Sequence, residues 1–447
     1  MLYSIRLNCS ICKSLTLFFI MLCAANLYAS KEIIFIVNPT SGGGTCGEIW
    51  DGMENEIKKQ VEENGSVFKV FKTGVEVETL VFSGELKRQE KFHHRLTDAG
   101  KLLERLMDKK YIKLNNDNMT TIVSVGGDGT FNQIASTLFK KEQLDKRHNL
   151  SKQDEIHYTL AILPFGTGNS LAQGLNIPIE KTDAARKSAV DIAINDQTTL
   201  AGCFEVTHQK GICFSFVELD FGASCKAGKL QKVPPAILRP LFGCVSGQTQ
   251  YDIAAVLTVL RPPKTKVTVT LHQNMDIKNK ESEHQDDEQP PTNNADGMLK
   301  NLIFEMKKLT FGAATVSPYF GGNFKIHPDA QTQGDVAYIS FINHMNMFGK
   351  MLHLKDLKNG NHTKDSHTYS KTIALKENEI LEITPYKDSE IPFQIDGEIN
   401  AGLLPITIEW LPKSYNIKTS VARKVSCALD QLPLNDGATT EGAIKSW

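Results

Sequence analysis

Thr121-Ile122-Val123-Ser124-Val125 runs directly into Gly126-Gly127-Asp128-Gly129-Thr130, and a helix-forming stretch from Phe131 to Phe139 follows. The same order returns as Leu160-Ala161-Ile162-Leu163-Pro164, then Gly166-Thr167-Gly168-Asn169, then Ser170 to Leu175. A strand that ends in glycines and opens a helix collects backbone N–H groups at the positive end of the helix dipole, a spot suited to a phosphate. Asp128, set among glycines, places a carboxylate beside that phosphate, where it can hold a metal or accept a proton. A third loop, Asn38-Pro39-Thr40-Ser41-Gly42-Gly43-Gly44, follows the strand-like Glu32 to Val37. Three strand–glycine–helix units before Leu175 predict a nucleotide site on a parallel sheet.

Around these loops, residues 31–182 alternate strands and helices, which predicts a three-layer α/β nucleotide-binding domain with a parallel sheet. Leu86 to Lys110 carries Leu96, Leu102, Leu103, Leu106 and Met107 at helical spacing, an amphipathic surface helix. From residue 183 to 404 the pattern changes to short strand-like runs with polar turns, predicting a mainly antiparallel β-rich domain. Those runs include Val190 to Ile194, Cys213 to Leu219, Ala254 to Leu260, Asn301 to Met306 and Thr310 to Val316. Residues 274–297 are polar and contain Asp286-Asp287-Glu288 and Pro290-Pro291, as a flexible insertion does. Residues 405–447 hold one strong strand, Pro405 to Leu411, and a weakly patterned tail.

The chain has 447 residues, 41% of them hydrophobic and 23% charged, enough for a sizeable core. Its net charge of −1 offers no global field for nucleic acid, so no nucleic-acid partner is expected. Arg6 and Lys13 precede the apolar run Leu15 to Ala25 and the small residues near Ala29, so residues 1–30 have the form of a signal peptide or hydrophobic leader. That segment implies export or membrane association; without it, a cytoplasmic protein with peripheral membrane contact is expected.

Asn38-Pro39 with Ser41-Gly42-Gly43, then GGDGT at 126–130, then Leu163 to Asn169, resemble the catalytic domain of diacylglycerol and sphingosine kinases. Asp396-Gly397-Glu398 resembles the Asp-Gly-Glu near the end of those kinases, and the order holds over roughly residues 32–412. The resemblance implies transfer of the γ-phosphoryl group of ATP, with Mg²⁺, to a hydroxyl of a lipid at a membrane surface. It implies a nucleotide between the two domains, a last strand returning to the first domain, and nucleotide contacts from Gly166, Thr167, Gly168 and Asn169. Phosphate cradling falls to Asn38, Pro39, Ser41, Gly42, Gly43, Gly126, Gly127, Gly129 and Thr130. Asp128 and Glu398 compete for the role of base, Asp128 being also a candidate metal ligand. Asp396 and Gly397 are candidate nucleotide contacts, and Asp220 a candidate for the lipid headgroup. One departure concerns Pro328 to Asp335: Gln333 stands where bacterial relatives carry the Asp of a structural Mg²⁺ site, and an amide brings no charge to a hard cation.

Other readings compete. Gly42 to Gly47 also satisfies G-x-G-x-x-G, the dinucleotide fingerprint, with Glu62 and Glu63 near the distance of its acidic partner. Asp128 on its own could cap the helix that follows it, and Asp396-Gly397 could be an ordinary hairpin turn. An NAD kinase relative shares GGDGT and a two-domain plan. A non-catalytic lipid- or nucleotide-binding protein would keep the fold without the chemistry.

Overall fold

The computed structural model describes residues 31–74, 98–112, 114, 120–148, 158–194, 197–232, 265–273, 300–322, 324–343, 355–363, 369–387 and 390–420, with residue 353 and scattered residues of 234–258 besides. The leader, the insertion at 274–297 and the first part of the Leu86 to Lys110 stretch lie outside the described residues.

Four strands, β1 (Glu32–Val37), β2 (Val67–Lys72), β3 (Thr120–Gly126) and β4 (Tyr158–Pro164), are parallel and stand in the order β2-β1-β3-β4. The helices between and after them are α1 (Thr45–Glu63), α2 (Ala99–Asp108), α3 (Asp128–His148), α4 (Ser170–Gly174) and α5 (Asp183–Ile194). Every residue of β3 and β4 is buried, which explains their continuous rather than alternating apolar runs: helices cover both faces of a parallel sheet. α1 and α5 are tied by Gln60 Nε2 donating to Asp191 Oδ1 at 2.6 Å and by a Lys187–Glu56 ion pair at 2.9 Å. α2 packs on α3, and its first turn is capped by Asp98, which accepts the Lys101 N–H at 3.0 Å.

The remainder is antiparallel: β5 (Thr198–His208), β6 (Gly211–Ser215), β7 (Glu218–Gly222), a helix α6 (Ala223–Lys232), then β8 (Thr265–Gln273), β9 (Lys300–Thr315), β10 (Val336–Asn343), β11 (Ser370–Lys376), β12 (Glu379–Pro385), β13 (Pro392–Ile395), β14 (Glu398–Leu403) and β15 (Ile406–Lys418). The path β14-β13-β7-β9-β8-β12-β15 continues into β4, β10 joins β9 to β11, and β5 joins β15 to β6. β15 makes the connection. Its first half pairs with β12 and β5, and its far end pairs Ile417 with Leu160 of β4 in parallel. The α/β part with a parallel sheet and the separate antiparallel β-rich part are thus the architecture expected from the sequence. Two cores result, and Phe214, Phe216, Val217, Tyr415 and Ile417 from the β-rich part sit in the α/β core. The segment between β6 and β7 is therefore pinned at the junction.

Several strand expectations change. Val190 to Ile194 is the end of helix α5, because Ala189, Val190, Ile192, Ala193 and Ile194 are buried together in the α/β core; tertiary burial overrides the β-branched preference. Asn301 to Met306 and Thr310 to Val316 join into the single strand β9. Cys213 to Leu219 breaks into β6 and β7 at Phe216 and Val217. Within Ala254 to Leu260, the described residues are helical.

The β-rich core contains a buried imidazole whose tautomer the hydrogen bonds dictate. Thr315 Oγ1 donates to Ser317 O at 2.6 Å, so it accepts from His327 Nδ1 at 2.7 Å, and His327 Nε2 is left to accept from the Ser340 hydroxyl at 2.9 Å. Burial, reinforced by the nearby His362, lowers the His327 pKa from 6.5 to about 3. The unfolded ring takes its proton near 6.5 and the folded ring only near 3, so the stability that a neutral ring contributes is complete above 6.5 and lost as pH falls. Relative to His327→Gln, the wild type is expected to lose about 1.4 kcal/mol per pH unit across that window. Groups common to both proteins cancel in the difference. Denaturant titrations at several pH values measure it, and parallel acid limbs would contradict the neutral-ring assignment.

Candidate active site

The three glycine loops leave β1, β3 and β4 at the same end of the sheet and are bonded to one another. Asn38 is the hub of the first. Its Oδ1 accepts from Thr40 N at 3.2 Å and Thr40 Oγ1 at 2.7 Å, and its Nδ2 donates to Thr130 Oγ1 at 2.9 Å. Ser41 Oγ lies 3.3 Å from the same Thr130 hydroxyl. Asn38 and Thr130 thus lock the first loop to the second and present hydroxyls between them. Pro39 O accepts the Gly47 N–H at 3.2 Å, fixing the start of α1. Gly42, Gly43 and Gly44 have φ of 64°, 74° and 94°, a left-handed run that favours glycine.

The second and third loops touch backbone to backbone. A Cβ on Gly166 would lie 2.3 Å from Gly127 Cα, and one on Gly126 would lie 2.8 Å from Thr130 Oγ1. Asn169, at φ 57°, closes the third loop: its Oδ1 accepts the Gly166 N–H at 3.2 Å and its Nδ2 donates to Pro164 O at 2.9 Å. Thr167 at the loop tip is exposed. Gly166→Ala must drive the loops apart, and is expected to cost about 1–3 kcal/mol of stability. Thermal unfolding measures the loss; an alanine variant as stable as the wild type would contradict the close approach.

Asp128 does not cap the helix that follows it. It caps the next one: Oδ2 accepts from Ser170 N at 2.9 Å and Oδ1 from Leu171 N at 3.2 Å, at the start of α4. Burial raises its carboxyl above the ordinary value, and the backbone N–H groups of Ser170, Leu171 and Asn169 offset part of the rise. Each oxygen keeps a lone pair for another partner.

The Asp-Gly-Glu segment comes from the β-rich part. Asp396 (φ 49°) and Gly397 (φ 80°) form the two-residue turn between β13 and β14, with Ile395 paired to Glu398, the geometry that Asp-Gly favours. Glu398 is exposed, accepts from Gln133 Nε2 at 3.0 Å, and has Oε1 beside Gly129, 3.6 Å from where a Cβ would be. Gln133 in turn accepts the Ala99 N–H at 2.9 Å, so the hairpin tip is registered against α2 and α3. Gly397 is exposed at that tip.

Asp396, expected as a nucleotide contact, instead points inward. Its Oδ1 accepts from Ser215 Oγ at 2.8 Å, Val217 N at 3.1 Å and Glu218 N at 2.7 Å. Its Oδ2 accepts from Phe216 N at 2.8 Å and Asn132 Nδ2 at 2.6 Å. Five donors on a fully buried carboxylate leave no room for a ligand. It joins α3, the β6–β7 segment and the hairpin. Asp220 is likewise fully buried, accepting from Gln394 Nε2 at 2.7 Å, with burial pushing it up to about 7. That placement removes it from direct contact with a headgroup.

A fourth glycine pair was not foreseen. Gly321 and Gly322 press on the third loop, where a Cβ on Gly322 would lie 3.0 Å from Gly168 O. Gly322 N donates to Ser170 Oγ at 2.9 Å, Gln173 Nε2 donates to Gly322 O, and Gly321 N donates to Glu218 Oε2 at 2.9 Å. The visible signal was Glu218 and Asp220 at alternate positions of an apolar strand, two carboxylates on one face.

The competing dinucleotide reading loses its acidic partner. Glu62 and Glu63 face solvent as i,i+4 pairs with Lys58 and Lys59 at 3.9 and 3.7 Å. The sequence departure at Gln333 is accompanied by an Asp335–Lys413 ion pair at 2.8 Å, a donor set that does not fit a structural divalent cation. Among the described residues no three of His, Cys, Asp and Glu converge as a metal cage. Asp128 does fit the way magnesium is held on a nucleotide, by phosphates and one or two carboxylates.

Residues 32–203 match the diacylglycerol kinase catalytic domain. Ceramide kinase 1 of Caenorhabditis elegans is 24% identical over 196 residues, 43% of this chain and 30% of that protein. The "Probable lipid kinase YegS-like" protein of Yersinia pestis (strain Pestoides F) is 36% identical over 81 residues, 17% of this chain and 24% of that protein. The chain thus spans under a third of the length of either relative. A crystal structure of a diacylglycerol kinase from Bacillus anthracis str. Sterne superposes with a TM-score of 0.50 at 14% identity, covering 88% of this chain and 98% of the other. A second from that organism, provisionally assigned the same activity, gives 0.53 at 14% identity with the same coverage.

Proposed function

We propose, from the match of residues 32–203 to the diacylglycerol kinase catalytic domain, that the chain is a lipid kinase of that family and transfers the γ-phosphoryl group of ATP to the hydroxyl of a lipid of diacylglycerol, ceramide or sphingosine type. The observation that carries this reading is the convergence of the three glycine loops with the Glu398 hairpin at Gly129. On this reading a nucleotide surface and a second carboxylate meet at one end of the parallel strands.

In this reading the loop backbones and the Ser41 and Thr130 hydroxyls hold the phosphates. Asp128 is the carboxylate that would hold nucleotide-borne magnesium, whose chemistry is to offset charge on the phosphates. The acceptor oxygen forms a bond to the γ-phosphorus as the bond to the β,γ-bridging oxygen breaks, and ADP leaves. The proton of the acceptor hydroxyl passes to a carboxylate. Glu398 is the better placed base of the two candidates, because both oxygens of Asp128 are already taken by backbone N–H groups, whereas Glu398 is exposed at the hairpin and accepts from Gln133 through Oε1. The acceptor is met at a membrane or micelle surface; no helix among the described residues is long and apolar enough to cross a membrane.

Glu398→Gln is expected to lower kcat about 10²–10⁴-fold with ATP binding unchanged. Steady-state kinetics with a micellar lipid acceptor measure it. A Gln variant that turns over normally would return the base role to Asp128.

A further inference from the structure

Helix α3 carries, on adjacent residues, two side chains that hold the turn between β13 and β14. Asn132 Nδ2 donates to Asp396 Oδ2 at 2.6 Å, and Gln133 Nε2 donates to Glu398 Oε1 at 3.0 Å. The first bond belongs to the buried junction and fixes the hairpin backbone. The second reaches an exposed carboxylate on a long side chain, and among the described residues Gln133 is its one donor.

The polarity of the Gln133 amide is dictated from its other side. Ala99 opens α2, and the N–H groups of a helix's first turn have no partner within that helix. The Ala99 N–H is given to Gln133 Oε1 at 2.9 Å. A backbone N–H only donates, so the amide oxygen faces Ala99 and the NH₂ faces Glu398. Gly100 lets the two helices come this close: a Cβ there would lie 2.5 Å from both Gln133 O and Thr137 Oγ1. The same helix α3 begins with Asp128. Gln133 stands about 7.5 Å further along its axis. Between them is Gly129, where a Cβ would lie 3.4 Å from Asp396 O and 3.6 Å from Glu398 Oε1. One rigid helix thus sets the carboxylate of the phosphate loops and the carboxylate of the hairpin relative to each other.

Resting on the lipid kinase reading above, in which Glu398 takes the acceptor's proton, we propose that Gln133 is a positioning residue for that step. Its NH₂ holds Glu398 Oε1 and leaves Oε2 to the acceptor hydroxyl. A base works only within hydrogen-bond reach of the proton it takes. An exposed glutamate without a donor is spread over many rotamers, and ordering it has to be supplied by a contact of this kind.

The test is a double-mutant cycle on the full chain: Gln133→Met, Glu398→Gln and the two combined, with Asp98→Ala beside them. Turnover is measured with γ-labelled ATP, Mg²⁺ and whichever of diacylglycerol, ceramide and sphingosine the wild type labels best in neutral detergent micelles. Methionine keeps the length and bulk of Gln133 and removes both hydrogen bonds of its amide. Asp98→Ala weakens the start of α2 by removing its cap, and leaves the Gln133–Glu398 bond in place. Gln133→Met is expected to lower kcat about tenfold, with the KM values for ATP and acceptor changed by less than about twofold. Asp98→Ala is expected to keep the wild-type kcat. In the Glu398→Gln background, Gln133→Met is expected to cost nothing further, because a residue that acts through another has no effect once the other is gone. Three results overturn the proposal: a wild-type kcat in Gln133→Met, the same loss in Asp98→Ala, or an equal loss from Gln133→Met with and without Glu398. Each of these removes the inference alone. A wild type that labels no lipid removes the kinase reading and this inference together, and a Glu398→Gln variant that turns over normally removes the base assignment and this inference together.

Discussion

Asp128→Asn is expected to reduce phosphoryl transfer by about 10²–10⁴-fold, the range for losing a group that acts on the reacting centre. The amide keeps the size of the side chain and changes two things. It removes the one carboxylate among the three glycine loops, and with it the charge available to a nucleotide-borne cation. It also replaces one acceptor by an NH₂ donor facing either the Ser170 or the Leu171 N–H, both of which now donate to the carboxylate. Mispairing one of these bonds loosens the contact between the second and third loops by about 1–3 kcal/mol. ATP affinity, measured by titration, should therefore fall modestly while kcat collapses. A variant that keeps more than about a tenth of wild-type turnover would contradict a role for Asp128 at the reacting phosphate.

Asp396→Ala is expected to be the most damaging substitution for stability, at about 3–5 kcal/mol. It strands the N–H groups of Phe216, Val217 and Glu218, the Ser215 hydroxyl and the Asn132 amide in a dry junction. Denaturant unfolding measures the loss. The pH dependence has a definite sign. Burial raises the Asp396 carboxyl from 3.8 to about 6, with the Glu218 and Phe216 N–H groups among those opposing the rise. The folded state takes up a proton before the unfolded state does. The contribution of this group to stability is therefore smallest above about 6 and grows as pH falls toward 3.8. Asp396→Ala should be most harmful at low pH relative to the wild type. A variant as stable as the wild type would contradict the five-donor assignment.

The three loops were legible because each is local: a strand, glycines and a helix within a dozen or so residues, read by rules of phosphate binding. The parallel layer followed from the same units, and the β-rich half from its short runs with polar turns. The Asp-Gly turn was legible as a hairpin, with the exposed Glu398 paired to Ile395 across it. What the sequence hid lies in contacts between distant positions. Asp396 reads as a site residue by its motif, yet its donors come from Asn132 and residues 215–218. Gly321-Gly322 carries no motif of its own, and its meaning comes from lying against Gly168 and Glu218. Val190 to Ile194 misleads because β-branched residues favour strands on a pleated surface, while here they cover β4 from a helix.

The most direct measurement of the central claim is transfer of label from γ-labelled ATP, with Mg²⁺, to lipid extracted from micelles after incubation with the full chain. Diacylglycerol, ceramide and sphingosine would be offered in separate reactions, NAD in a further one, and Asp128→Asn run beside each. Label in the lipid fraction that is absent from the Asp128→Asn reactions is the predicted result. Label on NAD alone, or none on any acceptor while ATP is bound, would contradict it.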